Sequence, residues 1–262
     1  MAANGELPDI TREFVRGGTL FPCTDIRPSM KHRLFLFDLD DTLLDFKASE
    51  QLSFDHTMRE LGLRTIPDGL FAGYQTINTA LWKSFELGTV SKDFLKVERF
   101  RRTFAEYRLD LDPEAASRLY LESLSHNVVL VDGAQQLCET LAGIGEVGII
   151  TNGVEHIQHR RIAASKLHAH LSFVATSEAC GHAKPDSRFF DYTVRMARAF
   201  SHAETVIVGD RLDADILGAN RFGIESCWFN PGGLRNETEA LSTCEVARLD
   251  GVIPALRGLQ AA

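Results

Sequence analysis

Leu34-Phe35-Leu36-Phe37-Asp38-Leu39-Asp40-Asp41-Thr42 sets a short apolar run directly against three acids and a hydroxyl. An unbroken apolar run closed by polar residues reads as a strand buried on both faces, the form strands take in parallel sheets. The pattern recurs at Val147 to Ile150 before Thr151, and at Val206 to Val208 before Gly209 and Asp210. Phe173 to Ala175 and Cys227 to Phe229 read as two further strands. Between them lie helical faces, with Leu137, Leu141 and Ile144 on one and Phe189, Phe190, Thr193, Val194 and Ala197 on another. Strands alternating with helices predict an α/β fold with an open parallel sheet, whose ligands bind at the carboxyl ends of the strands. The polar residues that close the runs therefore converge.

Residues 45–128 break the alternation. Leu70, Tyr74, Ile77, Leu81 and Phe85 recur at helical steps, as do Phe94, Val97, Phe100 or Arg101, Phe104 and Tyr107. Ser91 can cap one such helix, and Asp112-Pro113 supplies an N-cap and a first helical residue for the next. An all-helical insert thus interrupts the core, which comprises residues 30–44 and 129–262. Residues 1–29 carry no sustained periodicity and read as a flexible extension, whose removal should leave fold and turnover nearly unchanged. Met30, just before the first strand, marks a domain boundary or an alternative start.

With 262 residues and 44% hydrophobic content, the chain can bury one substantial core and a smaller accessory domain. Its formal charge of −8 gives no basic footprint for polymeric nucleic acid or an anionic membrane. No apolar run approaches the roughly 20 residues that span a bilayer, and a cytoplasmic location is expected. The cysteines, Cys23, Cys138, Cys180, Cys227 and Cys244, form no C-x-x-C pair and fit free thiols in a reducing compartment, with Cys227 a small core residue.

The chemistry concentrates at Asp38-Leu39-Asp40-Asp41-Thr42. Carboxylates two apart at a strand end can face one pocket, one attacking phosphorus and the other handling a proton, and acids this close need a cation. A solvated, capped turn is the ordinary alternative. Thr151-Asn152-Gly153 closes a second strand and opens a helix near Val154, so a hydroxyl and free backbone amides can meet an anion. Lys184-Pro185 opens another helix, with Pro185 in its first turn and Lys184 able to neutralise a phosphoryl oxygen. Gly209-Asp210 through Asp213 and Asp215 places hard oxygen ligands at a third strand end, as magnesium prefers; Asp213 also suits a plain cap.

In this order, Asp-x-Asp-x-Thr, Thr-Asn-Gly, Lys-Pro and Gly-Asp-x-x-x-x-Asp resemble the four motifs of the haloacid dehalogenase superfamily, over residues 31 to about 232. The resemblance implies that superfamily's Rossmann-like core, with the insert as a helical cap of the C1 type. It implies Asp38 as nucleophile forming an aspartyl-phosphate and Asp40 as general acid/base. Thr151, Asn152, Gly153 and Lys184 would hold the phosphoryl oxygens. Mg2+ would be bound by Asp38, the backbone carbonyl of Asp40, and Asp210, with Asp215 a direct ligand or a support. The stretches Tyr74-Gln75-Thr76-Ile77-Asn78, Leu81-Trp82, Leu87-Gly88, Gly148 to Gly153, Ser177-Glu178, Ala183-Lys184-Pro185 and Asp215 to Ala219 are similar to the bacterial pyrimidine 5′-nucleotidase branch. A small phosphomonoester, a pyrimidine nucleoside monophosphate, is the substrate this implies. Val131-Asp132-Gly133 departs from the Pro-Gly turn usual there.

A sugar-phosphate phosphatase of the acylneuraminate phosphate or phosphoglycolate type is the alternative on the same scaffold. A phosphomutase ranks lower, and a haloacid dehalogenase proper needs neither Asp40 nor Asp210. A silent binding module would not need the full set. Self-association into a homo-oligomer stays open. His156, His159, His168 and His170 have no Cys or acidic partner at ligand spacing and read as surface residues. Phe46, Tyr74, Asn78 and Trp82 are candidates for meeting an aromatic base, since few cationic groups share their helical face.

Overall fold

The computed structural model describes residues 30–259; the reading of residues 1–29, and Cys23 with it, lies outside them. The chain runs through β1 (Leu34–Phe37), then α1 (Phe46–Glu60), α2 (Leu70–Glu86), α3 (Lys92–Glu106), α4 (Pro113–His126) and α5 (Ala134–Ala142). It continues with β2 (Glu146–Thr151), α6 (Glu155–Ser165), β3 (Phe173–Thr176), α7 (Ser177–Cys180), α8 (Ser187–Val194) and β4 (Thr205–Gly209). After a π-helical turn at Leu212–Ile216 come α9 (Leu217–Phe222), β5 (Glu225–Phe229), β6 (Cys244–Val246) and α10 (Val252–Gly258).

The sheet has the order β3-β2-β1-β4-β5-β6, with every neighbouring pair parallel. β1 lies at its centre because both of its faces are apolar. Phe35 and Phe37 pack with Leu137, Leu141 and Val147 on one side, while Leu34 and Leu36 meet Phe189, Phe190 and Ile207 on the other. Each such side chain contributes roughly 1.5–3 kcal/mol by leaving water. Met30, the first described residue, packs into the first of these clusters at 4% exposure.

Helices α1 to α4 enclose their own core of Phe54, Met58, Leu70, Tyr74, Phe100, Phe104 and Tyr120. The chain enters and leaves them side by side: Val131 N donates to Leu43 O, and Asp45 N to Val129 O, at 3.0 and 2.9 Å. Asp45 caps α1 by accepting from Ala48 N; Ser91 caps α3 through Phe94 N and Asp112 caps α4, as expected of both.

Three expectations need correction. Pro185 is not in the first turn of a helix, because Asp186 caps α8 by accepting from Arg188 N and the helix begins at Ser187. The buried residues of α3 are Lys92, Leu95, Arg99, Phe100, Thr103 and Phe104; Phe94 is 43% exposed. Tyr74 shares the spacing of Asn78 and Trp82 but sits at 0% exposure among Phe54, Phe71, Phe100 and Tyr120, where a ligand base cannot reach it. Cys227 is a fully buried β5 residue, and His156, His159 and His168 are on the surface.

Candidate active site

Three parallel strands end side by side, and their following residues meet. Asp38 follows β1, Thr151 ends β2 and Asp210 follows β4. Lys184 comes from the loop between α7 and α8 and is buried at 2% exposure. Its Nζ donates to Asp38 Oδ1 at 2.5 Å, Asp215 Oδ1 at 2.6 Å and Ile150 O at 2.9 Å. Burial works against its charge, but Asp215 and Asp38 outweigh it and raise the Lys184 pKa.

Carboxylate oxygens of Asp38, Asp210 and Asp215 all lie within 4.8 Å of one another. Burial pushes the Asp38 carboxyl up to about 7, with Lys184 pulling against it and Asp215 adding to it. Burial, then the charges of Asp38 and Asp215, push Asp210 up to about 8. One ammonium thus faces three acids, and the excess negative charge is what a divalent cation with hard oxygen ligands neutralises. Thr42 joins the group: Asp210 N donates to Thr42 Oγ1 at 3.1 Å, and that hydroxyl lies 3.5 Å from Asp38 Oδ2. Trp228 Nε1 fixes Asp210 from behind by donating to its backbone O at 2.9 Å. Gly209 is required here, since a Cβ on it would lie 2.4 Å from Asp215 Oδ2.

Asp40 is held from the opposite wall by α6. Gln158 Nε2 donates to Asp40 Oδ2 at 2.6 Å and to Thr151 Oγ1 at 2.9 Å, and Arg161 Nη1 donates to Asp40 Oδ1. Neither α6 residue was anticipated. Both were legible, because Ile157, Gln158, Arg161, Ile162 and Ser165 form the buried face of α6, a helical stripe that includes a cation and an amide. Arg161 is fully buried over the Phe46 ring, 5.6 Å from its centroid.

Asn152 holds the Lys184 loop rather than aiming its amide at a phosphate: it accepts from Lys184 N at 2.9 Å and donates to Lys184 O at 3.1 Å. Asp213 pairs with Arg211, away from the carboxylate cluster. Asp38, Asp40, Thr151, Asn152, Gly153, Lys184 and Asp210 line one cavity of about 550 Å³ between the sheet and the helical insert. Asp215 stands behind Lys184, its second oxygen accepting from Arg211 N at 3.1 Å.

Phe46, Asn78 and Trp82 line the same cavity on the insert side. Lys47, Lys83 and Arg99 of the insert line it too, and Arg161 and Arg211 do so from the α/β core, so cations reach the cavity from positions other than the helical face of Asn78 and Trp82. Glu50, Gln75, Asn78 and Arg99 form a polar cluster on that wall. Gln75 Nε2 and Asn78 Nδ2 donate to Glu50 at 3.1 and 3.0 Å, and Arg99 Nη1 donates to Asn78 Oδ1 at 3.3 Å. Burial raises the Glu50 pKa against the pull of Gln75 and Arg99. The Arg99 guanidinium lies 4.5 Å from the Tyr120 ring centroid, so an aromatic face supports its charge where water does not.

Known proteins are similar to this chain in sequence and fold. The HAD-hydrolase YfnB of Bacillus subtilis is 34% identical over 84% of this chain and 93% of its own. Its magnesium-bound crystal structure superposes with a TM-score of 0.79, covering 86% of this chain and 98% of that one. Pyrimidine 5′-nucleotidase PynA of Streptococcus pneumoniae is 35% identical over 83% of this chain and 92% of its own. Pyrimidine 5′-nucleotidase YjjG of Escherichia coli is 29% identical, over 77% and 87%. The sequence profile of the haloacid dehalogenase-like hydrolases matches residues 32–223, every element from β1 to α9, and this chain belongs to that family of hydrolases.

Proposed function

We propose that the protein is a magnesium-dependent phosphomonoesterase whose substrates are pyrimidine nucleoside 5′-monophosphates. The observation that carries the reading is the buried Asp38 carboxylate, paired with Lys184 beside Asp210 and facing Asp40 across one cavity. Two relatives are named as pyrimidine 5′-nucleotidases, which supports the substrate.

Asp38 attacks phosphorus through one carboxylate oxygen, forming an aspartyl-phosphate as the bond to the ester oxygen breaks. Asp40 gives its proton to the departing alkoxide, then takes one from the water that attacks the aspartyl-phosphate. That second step releases inorganic phosphate and regenerates the Asp38 carboxylate. Lys184, the Thr151 hydroxyl and the backbone N–H groups at Asn152 and Gly153 hold the phosphoryl oxygens. Asp38, the Asp40 carbonyl and Asp210, with Asp215 in support, would hold magnesium, which would supply charge neutralisation at the phosphoryl group.

Residues 45–128 act as a cap that reads what lies beyond the ester oxygen. A uracil or thymine edge presents carbonyl, N–H, carbonyl, and so calls for donor, acceptor, donor. Arg99, Gln75 and Asn78 are donors and Glu50 is an acceptor, between the aromatic walls Phe46 and Trp82. The test is kcat/KM for uridine, deoxyuridine and thymidine monophosphates against purine monophosphates, hexose phosphates, phosphoglycolate and an acylneuraminate phosphate. Pyrimidines should lead by at least about tenfold, the worth of one net hydrogen bond of ~1.4 kcal/mol. A sugar phosphate winning removes the nucleotidase. Asp38→Asn retaining para-nitrophenyl phosphate hydrolysis removes the mechanism.

A further inference from the structure

Lys92 is an ionisable residue of the helical insert whose charged end lies outside it. It is the first residue of α3, only 6% exposed, and its ammonium is inserted into the α/β core. Nζ donates to Asn152 O at 2.8 Å, Gly153 O at 2.8 Å and Ser177 Oγ at 3.0 Å, and pairs with Glu178 Oε1 at 3.3 Å. It also sits 5.0 Å from the centre of the Phe85 ring. Burial lowers the Lys92 pKa, with Glu178 opposing that shift. A buried lysine is costly, and the same helix start could have carried an apolar residue.

The carbonyls that Lys92 holds belong to the turn proposed to receive the phosphoryl group. In a trans peptide the C=O and the next N–H point in opposite directions. Fixing the Asn152 and Gly153 carbonyls toward α3 therefore fixes the N–H groups of Gly153 and Val154 away from it; Gly153 N donates to Thr151 Oγ1 at 3.0 Å, so the clamp also sets that hydroxyl, and both residues line the cavity. Six residues earlier in the chain, Glu86 makes a second clamp. Its carboxylate accepts from Asn152 Nδ2 at 3.2 Å and from Arg211 Nη1 and Nη2 at 2.5 and 2.9 Å. Asn152 in turn holds both backbone polar groups of Lys184. Two charged side chains of the insert thus tie together the loops that carry Thr151, Lys184 and Asp210.

We propose that Lys92 is a positioning residue for phosphoryl transfer, and that docking of the insert through Lys92 and Glu86 completes the phosphate site. The inference rests on the phosphatase reading above and extends it: the insert acts on the part common to all substrates as well as on the variable part. Lys92→Met should then lower kcat for para-nitrophenyl phosphate and for uridine monophosphate by the same factor. A small misplacement of reacting groups predicts roughly 10- to 100-fold. Inhibition by inorganic phosphate should weaken in parallel. Lys92→Arg, which keeps the charge, should recover part of both. Glu86→Gln should show the same pattern more mildly, and the double variant should be less than additive, because both act through Asn152.

Thermal melts of each variant establish that the assayed protein is folded. If Lys92→Met does not fold, Glu86→Gln carries the test alone. Equal phosphate inhibition and equal kcat in a folded variant overturn the inference, as does a loss confined to the nucleotide. Wild-type protein that neither binds phosphate nor hydrolyses any phosphomonoester removes the phosphatase reading and this inference with it. Wild type that binds phosphate no better than folded Lys92→Met removes the inference alone.

Discussion

Asp38 and Asp40 are two residues apart in sequence, yet they have different neighbours and so different work. Asp38 is enclosed with Lys184 and two other carboxylates, whereas Asp40 faces an amide and a guanidinium from α6. The division is testable at the level of one atom. Asp40→Asn keeps the backbone carbonyl proposed to meet magnesium but cannot transfer a proton, a contribution typically worth about 10²- to 10⁴-fold. The loss should be large for a nucleotide, whose alkoxide leaves poorly, and small for para-nitrophenyl phosphate. Equal losses in single-turnover formation of the aspartyl-phosphate would deny Asp40 its role as general acid. That the paired acids sit at a strand end was legible from the apolar run before them. Their partners Gln158 and Arg161 were not read, because a polar residue in a helix is solvated by default until a stripe of apolar neighbours shows otherwise.

Helix α3 shows where periodicity misleads. Phe94, Val97, Phe100 and Phe104 make an acceptable helical stripe, but the buried set is Lys92, Leu95, Arg99, Phe100, Thr103 and Phe104. The two stripes share Phe100 and Phe104 and differ by a rotation of the early turns. Arg99 decides the outcome: it lies over Tyr120 and bonds Asn78, so the apolar residue Phe94 is displaced to the surface. A charged residue in a buried stripe breaks the pattern on which the reading depends. Leu95→Ala should therefore cost about 2–5 kcal/mol of unfolding free energy, as for a core leucine. Phe94→Ala should stay within roughly 0.5 kcal/mol. Urea denaturation of the two variants measures the difference, and the reverse order would restore the stripe read from sequence. The strands were easier, since runs such as Leu34 to Phe37 are buried on both faces and need no partner to be recognised. The short β6 escaped, because Cys244-Glu245-Val246 has neither the length nor the apolar content of the others.

For the whole molecule, the carboxylate cluster makes folding, proton binding and metal binding one equilibrium. Asp38 and Asp210 have folded-state pKa values raised to about 7 and about 8 from an ordinary 3.8. An acid raised on folding contributes stability that is fully present below its unfolded pKa and is lost as pH rises through the folded value. The metal-free protein should therefore lose stability from these groups between about pH 4 and about pH 8. A cation bound by the ionised carboxylates opposes that loss, and protons compete with it at low pH. Magnesium at about 100 times its Kd adds roughly 2.7 kcal/mol. At roughly 2–4 °C per kcal/mol for a chain of this size, Tm should rise by about 5–10 °C. The rise should be clear near pH 8 and small near about pH 5.5, where the acids hold protons. Asp210→Asn removes one of the repelling charges, so it should abolish the magnesium-dependent rise while making the metal-free protein more stable at about pH 8. Melts in a chelator and in magnesium at the two pH values measure both effects. A rise of equal size at both, or one that survives Asp210→Asn, would place the cation somewhere other than among Asp38, Asp210 and Asp215.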